Sequence, residues 1–463
     1  MSKLLEFKND IKDKKIGLVG IGISNLPAIQ YLHSLGANVV LYDKNVNLFK
    51  EYSELEKMGL EAYLGEDYLK HLDGLDYIFR SPGVRPFYPE IEEAEKNGAV
   101  ISSEIEMLIH LCPCKIIAVT GSDGKTTTTT LISKFLEEAG YRVWLGGNIG
   151  KAIFSKLDDM KENDIVVLEL SSFQLMTLKE SPDISVITNI SPNHLDYHRS
   201  YDEYIDSKAN IFKHSKGNNI LVLNADDEMT NRYLKEVPEK TDIRYFSLDK
   251  ELINGVYLND DKIVSNILDK EIIDEIKNIK LVGMHNIANI CAAASAIIHL
   301  TGVKPIVEVI RNFYGVEHRI EFVREKDNVK WYNDSIASSP SRTIAGLKSF
   351  NQKIILIAGG YDKNIPYDVI GPYIVDKVKS LILMGKTAQK IEKAVLDEIE
   401  KRGAKQNIDI VTLESMEECV NYANSIAQSN DIVVLSPASA SFDMYKNFEV
   451  RGNHFKELVN NLK

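Results

Sequence analysis

The amino-acid sequence predicts an α/β protein of about three domains, built on parallel sheets with helices on both faces. Short runs rich in β-branched residues alternate with stretches of about 10–15 residues that have helical character. Most of these runs end in Gly, Ser, Asn or Asp, where a strand gives way to a loop. The chain has 463 residues, and a domain takes about 150.

Three blocks, 1–104, 105–314 and 315–463, divide these elements. In the first block we expect strands at 15–20, 38–42 and 77–80 and a helix at 26–35. In the second, we expect strands at 116–120, 165–169, 184–189 and 219–224 and a helix from about 126. In the third, the runs at 353–358, 380–384, 408–412 and 431–435 are typical of buried strands.

Composition excludes several classes of protein. With 55 Lys and Arg against 67 Asp and Glu the net charge is −12, which argues against a nucleic-acid partner. The apolar run 290–300 is about half the ~20 residues that a membrane helix needs, and the charged N-terminus is not a signal peptide. We therefore expect a soluble, cytoplasmic protein that does not contact membrane. We also expect a monomer, although composition does not bear on this.

The four cysteines, Cys112, Cys114, Cys291 and Cys419, are too few for a disulfide scaffold. Cys112-Pro113-Cys114 has a spacer of one residue, which matches neither a zinc knuckle nor a C-x-x-C redox pair. We expect reduced thiols.

A glycine-rich turn follows the first predicted strand. Gly20-x-Gly22-x-x-Asn25 precedes a predicted helix, and Asp43 follows the next strand. This pattern is similar to dinucleotide sites, where N–H groups at a helix N-terminus bind phosphate and an acidic residue binds a ribose. Because Asn25 stands in place of the third Gly, three interpretations stay open: some nucleotide site, an NAD site, or a tight turn.

A stronger motif, Thr-Gly-Ser-Asp-Gly-Lys-Thr-Thr, occupies 120–127 between a predicted strand and a predicted helix. Gly121 and Gly124 allow backbone N–H groups to curl around phosphate oxygens. Lys125 can bridge the β- and γ-phosphates, and the Thr126 hydroxyl can bind Mg²⁺. The loop is shorter than the usual phosphate loop, since Val119 stands where the first Gly would be. We predict a nucleoside triphosphate site.

Other polar residues at strand ends are less specific. Glu169 suits a magnesium ligand or an ordinary strand end. His194 and His198 lie four apart, but without a third ligand nearby a zinc site is less favoured than a metal- or phosphate-facing His194 or a solvated loop. Lys208 is typical of an exposed helix lysine.

Further along, each candidate also has an ordinary structural alternative. Asn286 and Asn289 could contact a base or cap a helix. Arg319 could bind a phosphate or base, or form a surface ion pair. Polar residues follow the third-block strands at 333–335, 359–363 and 435–441, where α/β folds bind ligands, and Lys363 could pair with a substrate carboxylate.

Taken in order, these motifs resemble the Mur ligases of peptidoglycan synthesis. The resemblance covers all three blocks and rests on 120–127, 147–150, 169–174, 189–198, His285-Asn286, His318-Arg319, 333–335 and 435–452. Ser81-Pro82-Gly83, the Ser-Ser-Phe-Gln run at 171–174 and the ending 439–452 are most similar to the members that add D-glutamate.

The resemblance implies a Rossmann-like first domain for the UDP substrate, a P-loop ATPase-like central domain with a parallel sheet, and a Rossmann-like last domain for the amino acid. It implies that ATP phosphorylates the carboxylate of UDP-N-acetylmuramoyl-L-alanine and that the D-glutamate amine attacks the acyl phosphate. Two Mg²⁺ ions and a carbamylated Lys208 are implied as well, and the third domain is expected to close over the reactants.

The resemblance also implies roles for individual residues. Lys125, His194 and Lys208 are implied as catalytic, and Thr126, Glu169, His194 and Lys208 as metal ligands. ATP is implied to contact Gly121, Ser122, Asp123, Gly124, Lys125, Thr126, Thr127, Asn286, Asn289, Arg319 and Asp334. The UDP substrate is implied to contact Ser24, Asn25, Asp43, Ser81, Gly83, Asn148 and His194, and D-glutamate to contact Ser338, Lys363, Ser441 and Phe448.

Two loops depart from the family pattern. Ile336 stands where the family often has Lys after Asn-Asp-Ser, which removes a positive charge near the incoming carboxylates. Lys44 and Asn45 follow Asp43, so the uracil contacts there cannot be copied from other members. Three competing functions remain. The first is another amide ligase of the superfamily, such as a folylpolyglutamate synthetase. The second is an NAD-dependent dehydrogenase, and the third is a non-catalytic regulator that binds a UDP-sugar.

Overall fold

The structure is a computed structural model that describes residues 2–22, 25–150, 152–192, 197–363, 365–403 and 408–463. Three β-sheets of five, nine and six strands follow one another along the chain. Contacts divide the chain into two compact units. The first unit comprises 1–278 and 287–309, and the second comprises 279–286 and 310–463.

The first sheet is wholly parallel, in the order β3-β2-β1-β4-β5. Its strands are β1 (Lys15–Val19), β2 (Asn38–Asp43), β3 (Glu61–Leu64), β4 (Tyr77–Arg80) and β5 (Val100–Ser102). Its helices are α1 (Lys3–Asp10), α2 (Asn25–Ser34), α3 (Leu48–Glu51), α4 (Ser53–Lys57), α5 (Pro89–Lys96) and α6 (Glu104–Leu111). The strand order reverses between β1 and β4, the point where open α/β sheets bind ligands.

The second sheet has the order β14-β13-β12-β11-β10-β9-β6-β8-β7. Its strands are β6 (Lys115–Thr120), β7 (Val143–Gly147), β8 (Ile165–Glu169), β9 (Ile184–Ile187), β10 (Ile220–Asn224), β11 (Asp242–Ser247), β12 (Gly255–Asn259), β13 (Lys262–Asn266) and β14 (Lys270–Glu275). The helices here are α7 (Lys125–Glu138), α8 (Ser172–Leu175), α9 (Tyr201–Lys213), α10 (Glu228–Asn231), α11 (Met284–Thr301) and α12 (Lys304–Asn312). Among the described strands of this second sheet, only the pairs β12–β13 and β13–β14 are antiparallel.

The third sheet has the order β15-β16-β20-β17-β18-β19. Its strands are β15 (Glu321–Lys326), β16 (Val329–Asn333), β17 (Ile354–Gly359), β18 (Val378–Met384), β19 (Asp409–Thr412) and β20 (Ile432–Leu435). The accompanying helices are α13 (Pro340–Leu347), α14 (Gly371–Lys377), α15 (Ala388–Arg402), α16 (Met416–Ile426) and α17 (Phe448–Asn461). β15 is antiparallel to β16, and the other neighbours are parallel.

One hydrophobic cluster joins the first two sheets inside the first unit. Leu18 and Ile29 of the first sheet layer belong to the same cluster as Leu108, Phe154 and Ile116. Two clusters fill the second unit, and they lie on opposite faces of its sheet because successive β17 residues alternate between them. The predicted boundaries near 104 and 314 stay a prediction.

The α/β fold class is confirmed, with one correction. The expected alternation of strand and helix fails at 255–275 and 321–333, where consecutive strands form antiparallel ribbons. No helix in the described part of the chain is long and apolar enough to cross a membrane. All four cysteines are free thiols.

Candidate active site

The phosphate loop, residues 121–124, connects β6 to α7. Gly121 has a φ of 150° and Gly124 a φ of 78°, backbone conformations that favour glycine. A Cβ at Gly121 would lie 1.9 Å from Thr188 Oγ1, and one at Gly124 would lie 2.4 Å from Asn289 Oδ1. The two glycines therefore let the chain turn tightly into α7, whose first N–H groups favour an anion.

The loop after β9 holds the phosphate loop in shape. Thr188 Oγ1 donates to Asp123 O at 2.6 Å, and Asn189 Nδ2 donates to the same carbonyl at 3.0 Å. In return, the backbone N–H groups of Ser122 and Asp123 donate to Asn189 O and Oδ1 at 2.9 and 3.0 Å. The loop is thus pre-organised, and binding a triphosphate need not order it.

Two lysines meet at one carbonyl of this loop. Lys125 Nζ donates to Gly121 O at 2.9 Å and to Ser122 O at 2.8 Å. Lys208 Nζ donates to Gly121 O at 2.8 Å. Lys208 is 2% exposed, and burial, followed by the nearby Lys125 charge, holds its pKa well below the ordinary lysine range. The expectation of an exposed helix lysine is wrong, because α9 packs this side chain against the phosphate loop.

Tyr204, one turn before Lys208 on α9, makes a second link to the loop. Lys208 Nζ lies 4.7 Å from the centroid of the Tyr204 ring. Tyr204 OH and Ser122 Oγ are 2.7 Å apart, and Ser122 Oγ donates to Ser191 O at 2.9 Å. Because Ser122 gives its proton to Ser191, the Tyr204 hydroxyl donates to Ser122. Tyr204 was not among the predicted site residues.

Glu169 ends β8 beside Val119 of β6, next to the phosphate loop. Its Oε1 accepts a hydrogen bond from Asn148 Nδ2 at 2.9 Å. Its Oε2 is buried and has no hydrogen-bond partner among the described residues. A buried carboxylate oxygen without a partner is costly unless a cation binds it. Glu169 therefore fits a ligand of Mg²⁺, together with Thr126 in the first turn of α7.

The part of the chain that the structure describes contains no group of three His, Cys, Asp or Glu side chains that could hold a metal ion. A Mg²⁺ ion here would take further oxygen ligands from phosphate and water, as it commonly does. His194, predicted to bind metal and substrate, lies outside the described residues. His198 is buried, with Nε2 2.9 Å from Ser172 Oγ, which argues against zinc.

Four of the predicted UDP residues, Asn25, Asp43, Ser81 and Gly83, lie at the carboxyl edge of the first sheet, whereas Asn148 follows β7 of the second sheet. Asn25 begins α2 and donates from Nδ2 to Gly20 O at 2.8 Å. Asp43 accepts hydrogen bonds from the backbone N–H groups of Ile21 and Asn45. Ser81 and Gly83 follow β4 on the same edge. Ser24 lies outside the described residues.

Arg80, the last residue of β4, holds the loop that carries Ser81 and Gly83. Its guanidinium is 1% exposed and donates to the carbonyls of Ser81 and Val84. It also donates to Thr177 Oγ1 at 3.2 Å, and Tyr197 OH donates to Pro82 O at 3.0 Å. Sequence reasoning missed Arg80, although an arginine at the end of a buried strand was a visible signal.

In the second unit, the ends of β16 and β20 place Asp334 in the interior. Asp334 Oδ2 accepts from Ser436 Oγ at 2.7 Å, and its backbone N–H donates to Leu435 O at 2.7 Å. Burial raises the pKa of Asp334 to about 7, and the Ser436 hydrogen bond and then the nearby Arg319 charge partly offset this rise. The structure thus brings together two residues that the sequence linked to ATP.

Arg319 is flanked by unusual backbone. His318 has a φ of 63° and Ile320 a φ of 44°. Left-handed backbone is rare at a β-branched residue, and such strain concentrates at functional sites. The observation supports a functional Arg319.

Arg451 of α17 ties two loops of the second unit together. It is fully buried and donates from Nη2 to Ser335 O at 2.8 Å and from Nη1 to Ala440 O at 3.0 Å. Burial lowers its pKa to about 10. Sequence reasoning missed Arg451, which fixes the loops around Ser338 and Ser441.

The predicted D-glutamate residues follow the same strand ends. Ser338, Lys363, Ser441 and Phe448 come after β16, β17, β20 and at the start of α17. Lys363 is exposed, whereas Ser441 is buried. The Phe448 ring lies edge-on to His318, with centroids 5.8 Å apart. The assignment of these residues to D-glutamate stays a prediction.

Asn286 and Asn289 of α11 have different hydrogen-bond partners. Asn289 Oδ1 accepts from Thr128 Oγ1 at 3.3 Å and is the atom that a side chain at Gly124 would strike. Asn286 donates from Nδ2 to Val282 O at 2.8 Å. Asn289 therefore supports the phosphate loop, and Asn286 anchors the start of its helix.

Comparison with known proteins identifies the family. Family models match residues 14–103 (Mur ligase MurD-like, N-terminal domain), 119–297 (Mur ligase middle domain) and 318–439 (Mur ligase, glutamate ligase domain). The chain is 51% identical to proteins named UDP-N-acetylmuramoylalanine–D-glutamate ligase from Acetivibrio thermocellus and Ruminiclostridium cellulolyticum, covering 100% of this chain and 99% and 100% of theirs. The chain belongs to the Mur ligase family.

Solved structures of Mur ligases share the fold. UDP-N-acetylmuramate-alanine ligase from Thermotoga maritima has a TM-score of 0.58 at 19% identity, over 97% of this chain and 100% of that one. MurF from Acinetobacter baumannii has a TM-score of 0.58 at 13% identity, over 97% and 92%. The phosphate loop, Glu169, Lys208 and Asn289 of this Mur ligase all lie inside the match to the middle domain.

Proposed function

We propose that this Mur ligase joins D-glutamate to UDP-N-acetylmuramoyl-L-alanine at the expense of ATP, in the synthesis of peptidoglycan precursors. The observation that carries the proposal is the 51% identity, over the whole chain, to relatives that bear this activity in their names. The pre-organised phosphate loop with Lys125 supports the use of ATP.

The reaction that we propose proceeds through an acyl phosphate. The L-alanyl carboxylate attacks the γ-phosphorus of ATP, and ADP leaves. The amine of D-glutamate then attacks the acyl carbon, and phosphate leaves as the amide forms. An acyl phosphate is needed because a free carboxylate would have to expel an oxide ion, which is a very poor leaving group.

Lys125 and the phosphate loop bind and orient the triphosphate in this proposal. The Lys125 side chain lies over the loop carbonyls at 2.8–2.9 Å, from which it can turn to the phosphates and balance the charge on the transferring group. Thr126 and Glu169 would hold one Mg²⁺, and His194 and carbamylated Lys208 a second. Magnesium supplies neutralisation of phosphate charge.

Carbamylation of Lys208 is supported by its surroundings. Its Nζ faces Thr120 Oγ1 at 3.4 Å and Gly121 O at 2.8 Å, and no carboxylate in the described part of the chain forms an ion pair with it. A buried lysine without a counter-ion is destabilising as a cation. Addition of CO₂ to the neutral amine would convert it into an anion that suits a metal ligand beside Lys125.

We assign the substrate ends by the same resemblance. The UDP part would lie at the edge that carries Asn25, Asp43, Ser81 and Gly83, near Asn148, and D-glutamate would contact Ser338, Lys363, Ser441 and Phe448. Asn286, Asn289, Arg319 and Asp334 would surround the ATP base and ribose. We also propose domains bounded near 104 and 314, and a monomer that works in the cytoplasm.

The test is product formation with purified enzyme, ATP, Mg²⁺ and UDP-N-acetylmuramoyl-L-alanine, with D-glutamate, L-glutamate, D-aspartate or glycine as acceptor. We expect phosphate release and an amide product with D-glutamate, and a loss of turnover of about 100-fold or more in Lys125→Ala. Lys134→Ala, an exposed lysine of the same helix, is the matched control. Faster turnover with another amino acid, or none with D-glutamate, would contradict the proposal.

A further inference from the structure

Cys112, Pro113 and Cys114 form the passage from α6 to β6, where the chain leaves the first sheet for the second. Cys112 caps the end of α6, and Cys114 immediately precedes β6. Their sulfur atoms are 3.4 Å apart. A disulfide has a sulfur–sulfur distance of about 2.05 Å, so oxidation would draw the two sulfurs together by about 1.4 Å.

The backbone accounts for this proximity. Cys112 has a φ of −59° and a ψ of 128°, the extended conformation that a residue before proline prefers. The chain then bends at Pro113 and Cys114 before β6 begins. Pro113 fixes its own φ and so restrains the turn between the two thiols. The single-residue spacer, which differs from that of a C-x-x-C redox pair, thus still presents two adjacent sulfurs.

The two thiols are not equivalent. The hydrogen bond between them lowers the pKa of Cys112 and raises the pKa of Cys114, because the Cys114 S–H can donate to a Cys112 thiolate. Burial raises the pKa of both, as does the nearby charge of Asp164. Cys112 is therefore the better nucleophile, and Cys114 keeps its proton until a second step.

The two thiols also differ in their access to solvent. A surface pocket of about 330 Å³, lined by Leu4, Leu111, Cys112, Pro113 and Leu157 among others, reaches Cys112. Cys114 does not line it and is 8% exposed. The two remaining cysteines, Cys291 and Cys419, are fully buried. A small reagent from solvent would therefore meet Cys112 first.

We propose that Cys112 and Cys114 form a reversible dithiol–disulfide couple that reacts with small disulfides. The Cys112 thiolate attacks one sulfur of the reagent R–S–S–R, which gives a mixed disulfide and releases R–S⁻. Cys114 then loses its proton and attacks the Cys112 sulfur, which forms the internal disulfide and expels the second R–S⁻. Two protein thiols lose two electrons and two protons, and the reagent becomes two thiols.

The test uses the full-length enzyme in mixtures of reduced and oxidised glutathione, followed by acid quenching, alkylation and peptide mass spectrometry. In the wild type we expect the peptide with Cys112 and Cys114 to lose two hydrogens and to carry no glutathione. Dithiothreitol should restore both thiols. Cys291 and Cys419 should stay reduced. A stable glutathione adduct on Cys112, or two free thiols in excess oxidised glutathione, would overturn the proposal.

Two serine variants separate a couple from a single reactive thiol. Cys114→Ser should accumulate one glutathione group on Cys112, because no second thiol resolves it. Cys112→Ser should leave Cys114 unmodified over the same period. Equal modification of Cys114 in that variant would contradict the order of attack. If Cys114→Ser fails to fold, the wild-type masses and Cys112→Ser still decide the outcome.

Discussion

Three buried basic side chains shape the loops of this enzyme, each on carbonyl oxygens. Arg80, Lys208 and Arg451 are at most 2% exposed, and donate respectively to the loop after β4, the phosphate loop and the loops after β16 and β20. Burial of a cation costs free energy unless hydrogen bonds compensate it. Such side chains hold loops in one conformation, which a site for several anions requires.

Lys208 gives the first prediction at this scale. Lys208→Ala should lower turnover by about 100-fold or more if the carbamate is a metal ligand. Lys213→Ala, on the same helix but in an ion pair with Glu236 at 2.6 Å, should stay near the wild type. Wild-type activity should fall in buffer depleted of CO₂ and recover with bicarbonate. Undiminished turnover of Lys208→Ala would refute the role of this lysine.

Gly124 gives the second prediction at the scale of single residues. Gly124→Ala forces a Cβ to within 2.4 Å of Asn289 Oδ1 at a φ of 78°, whereas Gly140→Ala meets nothing within 4 Å at a φ of 91°. Both variants carry the left-handed strain of about 1 kcal/mol, but only the first also displaces Asn289 and the phosphate loop. We expect a clearly weaker ATP affinity for Gly124→Ala alone, measured by calorimetry. Equal affinities in both variants would show that the contact is irrelevant.

At the scale of elements, the sequence predicts buried parallel strands closely. The expected strands at 77–80 and 165–169 coincide with β4 and β8, because strands covered on both faces are continuous apolar runs. The antiparallel ribbons of β12–β14 and β15–β16 were missed. β14 reads Lys-Glu-Ile-Ile-Asp-Glu, and such charged edge strands resemble loops in sequence.

The candidate active site likewise contains features that the sequence predicts and features that it does not. The phosphate loop was predictable because neighbouring residues in sequence form it, with their glycines at fixed spacing. The burial of Lys208 was not, since it depends on how α9 packs against a loop 87 residues earlier in the chain. Arg80 and Arg451 were missed for a related reason. The place of Arg80 at the end of a strand was visible, but most acceptors of the two arginines are backbone carbonyls of distant or folded loops, which a sequence does not show.

Glu104, the first residue of α6, gives a prediction about pH. It is 5% exposed, accepts a hydrogen bond from Phe154 N at 3.2 Å, and burial raises its pKa to about 7. A carboxyl whose pKa is raised on folding contributes stability that is present below its unfolded pKa and lost as pH rises through the folded value. The wild type should therefore lose stability between about pH 4.5 and pH 7 through this residue.

Glu104→Gln keeps an acceptor for Phe154 without the charge. We expect it to become more stable relative to the wild type as pH rises from 5 to 8, by about 3 kcal/mol at most. Thermal unfolding of both proteins at the two pH values measures this. Glu138→Gln, at the exposed end of α7, is the control and should show no such trend. If the difference in stability between Glu104→Gln and the wild type stays constant from pH 5 to pH 8, Glu104 is not an unpaired buried carboxylate.

For the whole molecule, the net charge of −12 says little about its ligands. ATP, the UDP-linked substrate and D-glutamate are all anions, so recognition must depend on local groups against the overall charge. Lys125, Arg319, Lys363 and the N–H groups at the start of α7 are the groups that we propose for this task, since local fields can oppose the net charge of the surface.

The division into two compact units predicts how the chain unfolds. The first unit has a hydrophobic cluster that spans two sheets, and the second has its own clusters around a separate sheet. Units with separate cores unfold with separate transitions unless a large interface couples them. We expect calorimetry to resolve more than one transition in the full-length enzyme.

A non-hydrolysable ATP analogue with Mg²⁺ should raise the transition of the first unit, because the phosphate loop, Lys125 and Glu169 all belong to it. At 100 times its Kd the analogue stabilises the folded state by about 2.7 kcal/mol. The Lys125→Ala enzyme, which keeps both cores, should unfold as the wild type does without the analogue and shift little with it. If one transition carries all the heat, or if the analogue shifts Lys125→Ala equally, the stability of the chain is not divided as its cores are.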